Sequence, residues 1–148
     1  MIERSDIAWD RIPVILTFAE RVQMVETYGF SGSQGKTTLE GQWLRPRGIE
    51  SKTLFVFMHP SSTLHLLPMP TALASAGIHV LCAGSRYAKN DSALIMEKVV
   101  FDLGAYIRHA REEMGYEKVV LVGWSGGGSL SLFLILRGFS SGAVALSG

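Results

Sequence analysis

The sequence predicts an α/β fold: a mostly parallel, doubly wound sheet opened by an antiparallel hairpin. Three observations lead there. Short apolar runs alternate with segments of helical spacing over most of the chain, the pattern of parallel strands joined by crossover helices. Near the amino end, two strand-like segments are separated by a turn cluster instead of a helix. The run Lys118-Val119-Val120-Leu121-Val122-Gly123-Trp124-Ser125-Gly126-Gly127-Gly128 reads as a buried strand, then Gly-x-Ser-x-Gly, then a segment able to become a helix.

The elements follow in order. Residues 22–30 alternate polar and apolar side chains loosely and predict a strand. Ser31-Gly32-Ser33-Gln34-Gly35-Lys36 is a turn cluster, and residues 37–44 predict the second arm of a hairpin. Thr53-Leu54-Phe55-Val56-Phe57-Met58 is a continuous apolar run, as a strand covered on both faces requires, and it ends in His59-Pro60-Ser61-Ser62. Residues 64–76 can be helical, with Pro68 and Pro70 kinking or delaying the start. Ile78-His79-Val80-Leu81-Cys82-Ala83 is another buried strand, ending at Gly84. Residues 92–114 show helical spacing, with Leu94, Ile95, Val99, Leu103 and Ile107 on the apolar stripe and Gly115 placed to end the helix. Residues 128–137 can form a helix stopped by Gly138, and residues 143–146 are a last short strand.

The Gly-x-Ser-x-Gly segment carries the chemistry. A serine on a very sharp strand-to-helix turn sits in strained backbone geometry, where the residues two before and two after it crowd each other. Gly123 and Gly127 meet that demand on either side of Trp124-Ser125-Gly126. Ser125 then stands clear of the sheet as a nucleophile, and the Gly126 N–H can face a developing oxyanion.

With these residues the chain resembles the α/β-hydrolase family from residue 22 to residue 148. The resemblance rests on the hairpin, the apolar strand ending in His59-Pro60, and the Gly123-Trp124-Ser125-Gly126-Gly127 elbow. It implies that the loop after the third strand supplies a second oxyanion N–H. Pro60 has none to donate, so the resemblance assigns that donor to Ser61 or Ser62. It also implies a triad in the order serine, acid, histidine, with the last two on later strands. No Asp, Glu or His follows Ser125. The expectation is therefore the amino-terminal part of the domain, incomplete after the sixth strand, with acid and base supplied by sequence absent from this chain. Residues 1–21 are read as an amino-terminal extension and 22–148 as that domain part.

The upstream candidates for a base are weighed by position. Functional groups in such sheets gather at the carboxyl ends of the strands. His79 begins a strand and His109 lies late in a helix, so both belong to the opposite edge as structural histidines. His59 and His65 lie at the catalytic edge, His59 shaping the oxyanion loop and His65 beginning a helix; these two are the secondary candidates. Asp91 is explained as a helix cap, and Asp102, in mid-helix, as a solvated side chain.

Composition excludes several classes. An apolar fraction of 47% is ample for a core in 148 residues, and a formal net charge of +1 without a basic run gives no reason to expect nucleic acid. The single cysteine, Cys82, excludes an internal disulfide and reads as a buried apolar filler, with a cytoplasmic location as the default. Four histidines and one cysteine show no ligand spacing, so no metal and no cofactor is expected. Gly32-Ser33-Gln34-Gly35-Lys36-Thr37 looks like a phosphate loop, but Phe30 stands where its first glycine belongs. The apolar run at 12–19 is broken by Pro13 and followed by Glu20-Arg21, so it reads as a packed extension and not a signal peptide. No segment has the length and apolarity to span a membrane.

The function expected is a serine hydrolase, esterase-like, acting on the ester, thioester or amide of a small acyl substrate. The alternative is a noncatalytic binding or interaction module on the same fold. The expected partner is the missing carboxyl-terminal part as a second chain, or a second copy joined through the last strand.

Overall fold

The computed structural model describes residues 6–19, 36–60, 67–88, 96–123 and 144–147. In chain order these form β1 (Trp9–Ala19), β2 (Lys36–Pro46), β3 (Thr53–His59), α1 (Pro68–Ser75), β4 (Val80–Gly84), α2 (Met96–Glu112), β5 (Lys118–Gly123) and β6 (Val144–Ser147). The strands make one six-stranded sheet in the order β1-β2-β4-β3-β5-β6. β1 and β2 are antiparallel, β2 meets β4 antiparallel, and β4, β3, β5 and β6 run parallel. This is the predicted fold: a parallel sheet opened by an antiparallel pair, with the topology of an α/β-hydrolase.

The hairpin's first arm is not where the sequence pattern put it. The strand paired with β2 is Trp9–Ala19, from Trp9↔Pro46 to Ala19↔Lys36. The segment read as an extension thus supplies the outer strand, while residues 22–30 lie outside those described. Val14 is buried and Leu16 and Phe18 pack on the core, whereas Arg11, Pro13, Ile15 and Thr17 are exposed. Pro13 is compatible with this strand because β1 has a described neighbour on one side only, and proline is tolerated at a sheet edge. Lys36–Pro46 being strand also removes the helix that a phosphate loop would need.

The central strands are apolar throughout because both faces are covered. On one face Leu54, Val56, Met58, Leu81, Ala83, Val119 and Leu121 pack against Val99, Leu103, Tyr106, Ile107 and Ala110 of α2. On the other, Phe57, Val80, Cys82, Val120 and Val122 pack with Ala74 of α1. Successive residues of a strand point to opposite faces, so each run feeds both cores. α1 is short because the prolines delay it: Pro68 occupies its first turn, where a missing N–H costs nothing. α2 ends at Glu112, three residues short of Gly115, whose φ of +79° suits glycine and turns the chain, and the Tyr116 N–H caps the Ala110 carbonyl at 3.0 Å.

Candidate active site

Register fixes one edge of the sheet. His59 of β3 lies beside Gly84 of β4, Met58 beside Gly123 of β5, and Gly123 beside Ser147 of β6. The carboxyl ends of four parallel strands therefore form one row. His59-Pro60 leaves this row from β3, Ser85 from β4, and the segment leading to Ser125 from β5. His59 is half-buried there. Gly123 is the last residue of β5. Trp124, Ser125, Gly126, Gly127, Ser61, Ser62 and His65 lie outside the described residues, as does Asp91.

The loops at this edge are tied together by groups that the sequence did not announce. Ser85 is buried, donates its hydroxyl hydrogen to the Pro60 carbonyl at 2.6 Å, and accepts the Tyr87 N–H at 3.0 Å. The Tyr106 hydroxyl, on α2, donates to the Gly84 carbonyl at 2.7 Å. Asp102, also on α2, accepts the Arg86 N–H at 3.0 Å and guanidinium hydrogens from Nη2 at 2.7 Å and from Nε at 3.1 Å. Thus α2 pins the loop after β4, and that loop holds Pro60 at the end of β3. Asp102 is wholly buried, which corrects the expectation of a solvated side chain. A buried carboxylate requires such a partner. That partner lies sixteen residues away in a different element, so no spacing rule signals it.

Tyr106 reaches its carbonyl by crossing β2 at Gly41. A Cβ at residue 41 would stand 3.1 Å from the Tyr106 ring and 3.0 Å from the Cys82 carbonyl. Burial and the neighbouring Asp102 charge push the Tyr106 phenol far above its ordinary range, so it stays a hydrogen-bond donor. Burial pushes the Cys82 thiol up to about 12. A thiol so disposed is no nucleophile at neutral pH, in keeping with a filler role.

The opposite edge holds the other histidine. His79 is buried, with Nε2 2.7 Å from the Ile49 carbonyl and Nδ1 2.6 Å from the Tyr116 hydroxyl. A carbonyl only accepts, so Nε2 carries a proton, and in the neutral ring Nδ1 then accepts from Tyr116. Tyr116 in turn accepts the Trp43 indole N–H at 3.0 Å. A cleft of about 270 Å3 opens beside these residues, but their polar groups are spent on one another. His79 is therefore structural, as its position at the start of a strand implied. No group of residues suited to a metal ion occurs among the described residues. No described helix is long and apolar enough to cross a membrane.

No protein-family model matches the chain, and no curated protein matches it. Solved structures do. A brefeldin A esterase, described as a bacterial homologue of human hormone-sensitive lipase, is 22% identical, with a TM-score of 0.53 over 88% of this chain and 39% of that one. The peroxisomal alpha-beta-hydrolase Lpx1 from Saccharomyces cerevisiae is 14% identical, with a TM-score of 0.59 over 87% of this chain and 41% of that one. An α/β serine hydrolase without lid from Xanthomonas campestris is 20% identical, with a TM-score of 0.58 over 84% of this chain and 56% of that one. At these identities the likeness establishes the fold: the chain has an α/β-hydrolase-like fold. It spans between two fifths and somewhat over half the length of those structures.

Proposed function

We propose that this chain carries the nucleophile-bearing part of a serine hydrolase of esterase type. One observation carries the reading. Gly-x-Ser-x-Gly begins at the end of β5, a central parallel strand whose terminus lies in the same row as His59-Pro60. A strand leading directly into the motif is the first half of the strand–turn–helix setting in which it acts as a nucleophile elbow, and it supports this reading.

In this reading the Ser125 hydroxyl oxygen attacks the acyl carbon of an ester, thioester or amide. Its proton passes to a base and then to the departing alcohol, thiol or amine, leaving an acyl-enzyme that water hydrolyses. The Gly126 N–H and an N–H from Ser61 or Ser62 hold the oxyanion. Base and acid come from residues beyond these 148, which accords with the partial span of the structures matched. β6 has one described neighbour, β5. The reading gives it a second, from further sequence, a separate chain or another copy.

The test is labelling by a fluorophosphonate probe. The full-length protein should label, and Ser125→Ala should not. A full-length protein that resists the probe would favour the binding-module alternative, and undiminished labelling of Ser125→Ala would move the nucleophile elsewhere.

A further inference from the structure

One hydrogen bond sets which way the backbone of β1 points. The Arg47 N–H donates to the Ala8 carbonyl at 2.8 Å, one step beyond the Trp9↔Pro46 pair. In an antiparallel ladder, hydrogen-bonded pairs alternate with non-bonded ones. The register runs without a break from there to Ala19↔Lys36. The even-numbered residues of β1 therefore bond to β2, and the odd-numbered ones turn their N–H and C=O groups the other way. Pro13, which has no N–H, falls in this outward set. The Thr17 and Thr38 hydroxyls meet at 3.3 Å, as the closer side chains of a non-bonded pair allow. On its outward side β1 has no described neighbour.

An outward row of backbone groups is a template for another strand. Pro13 divides the row in two. Before it stand Asp10 and Arg11, charged side chains of the kind that blunts an edge. After it, Val14-Ile15-Leu16-Thr17-Phe18-Ala19 holds neither charge nor proline. Ile15 is 63% exposed on one face of this half. On the other, Leu16 and Phe18 are half-buried, and Phe18 meets Phe101 of α2 edge to face at 5.3 Å. Phe101 is itself 50% exposed. Natural sheet edges avoid leaving such an uncharged, β-prone run in the open.

The register names the occupant. A second copy can pair antiparallel with the first about a two-fold axis. An axis at residue 13, 14, 15 or 16 sets Pro13 opposite residue 13, 15, 17 or 19 of the other copy, and each copy loses a hydrogen bond. An axis at Thr17 is the first that clears the proline. Residue 15 then faces 19, and every outward N–H from 15 to 19 finds a carbonyl. Leu16 of each copy lies opposite Phe18 of the other, beside Phe101, and Thr17 lies opposite itself. The segment is thus complementary to its own copy in backbone and in side chain.

We infer that a second copy of this chain docks on the outer edge of β1, residues 15–19 of the two copies pairing antiparallel about an axis at Thr17. The inference does not depend on the hydrolase reading.

The experiment uses the full-length protein in sedimentation velocity over a concentration series. So short a seam lies at the low end of specific interfaces, so a monomer–dimer equilibrium is expected with its midpoint at about 1–100 μM. Thr17→Pro removes an outward donor and spares the ladder to β2. It should keep its circular dichroism and melting temperature and become monomeric. If Thr17→Pro does not fold, Ile15→Lys puts a charge on the pairing segment and should raise the dissociation constant at least about tenfold. In Thr17→Cys the two thiols face each other at a Cα separation of about 5.5 Å, inside the disulfide range. Mild oxidation should cross-link that variant, whereas Arg11→Cys, exposed but outside the paired segment, should stay unlinked. A wild-type protein that is monomeric at about 1 mM overturns the inference. So does a dimer of unchanged affinity in the folded Thr17 or Ile15 variant, which would belong to another surface such as β6. Cross-linking of Arg11→Cys as fast as Thr17→Cys overturns it as well.

Discussion

Asp102 and Arg86 form a buried pair in which one carboxylate receives both a guanidinium and the backbone N–H of the same residue. The arginine side chain is 12% exposed and the carboxylate not at all. Three kinds of freedom are removed together: that of the arginine side chain, of the loop backbone, and of the loop relative to α2.

Breaking this pair should be costly. Asp102→Ala leaves a nearly buried guanidinium and a backbone N–H without their acceptor. The expected loss is about 3–5 kcal/mol in urea unfolding, the range for a buried pair deprived of one partner. Asp102→Asn keeps an acceptor oxygen and should lose less. Equal stability of Asp102→Ala and wild type would mean that the loop is held by other contacts.

The far edge should behave differently. Tyr116→Phe removes the hydroxyl that donates to His79 Nδ1 and accepts from Trp43, leaving two polar atoms unsatisfied. The expected cost is about 1–3 kcal/mol for each group left buried. Ester turnover should be unchanged in the fraction that remains folded. A selective fall in kcat would show that the two edges communicate.

Alkaline pH should destabilise the protein through groups buried in their neutral forms. Burial raises the Cys82 thiol from 9.0 to about 12 and the Tyr116 phenol from 10.0 to about 12. Unfolded chains release these protons first, so the stability they contribute is complete below pH 9 and lost as pH climbs toward 12. The slope is at most about 1.4 kcal/mol per pH unit for each group. Denaturation at pH 8, 10 and 11 should show it, and Cys82→Ala should flatten its share. A Cys82→Ala profile parallel to wild type would count against a protonated, buried thiol.

Gly41→Ala should destabilise by about 1–3 kcal/mol, the cost of forcing an atom into packed space. The added Cβ meets the Cys82 carbonyl and the Tyr106 ring at 3.0 and 3.1 Å. A melting temperature at or above wild type would mean that β2 can back away from Tyr106 without penalty.

What was legible in the sequence follows from what is local. Strands β3, β4 and β5 announce themselves because both faces are covered, and an uninterrupted apolar run needs no knowledge of its partners. Gly115 marks the turn after α2 because a left-handed residue there favours glycine. The proposed elbow rests on the sequence alone, where Gly123 and Gly127 stand at the spacing from Ser125 that steric crowding in such a turn demands. β1 was misplaced because Pro13 and exposed Ile15 disturb its alternation. Both are acceptable in a strand with a described neighbour on one side only, and that place is decided by β2. Ser85 and Tyr106 carry no sequence signal, and Asp102 reads as solvated, for a related reason. Each is explained by a partner between 16 and 25 residues away, and a polar residue in isolation reads as solvated.

Gly41 also solves a problem that hydrophobicity leaves open. A slip of β2 by one residue against β4 would turn its apolar side chains to the wrong face and be rejected at once. A slip by two keeps every face correct, and the apolar pattern alone would accept it. It would, however, place Leu39 or Trp43 opposite Ala83, where Gly41 now sits. The Cys82 carbonyl and the Tyr106 ring leave no room there for any side chain. One missing methyl group thus acts as a proofreader during assembly, admitting the single alignment that lets Tyr106 pass β2 and reach Gly84.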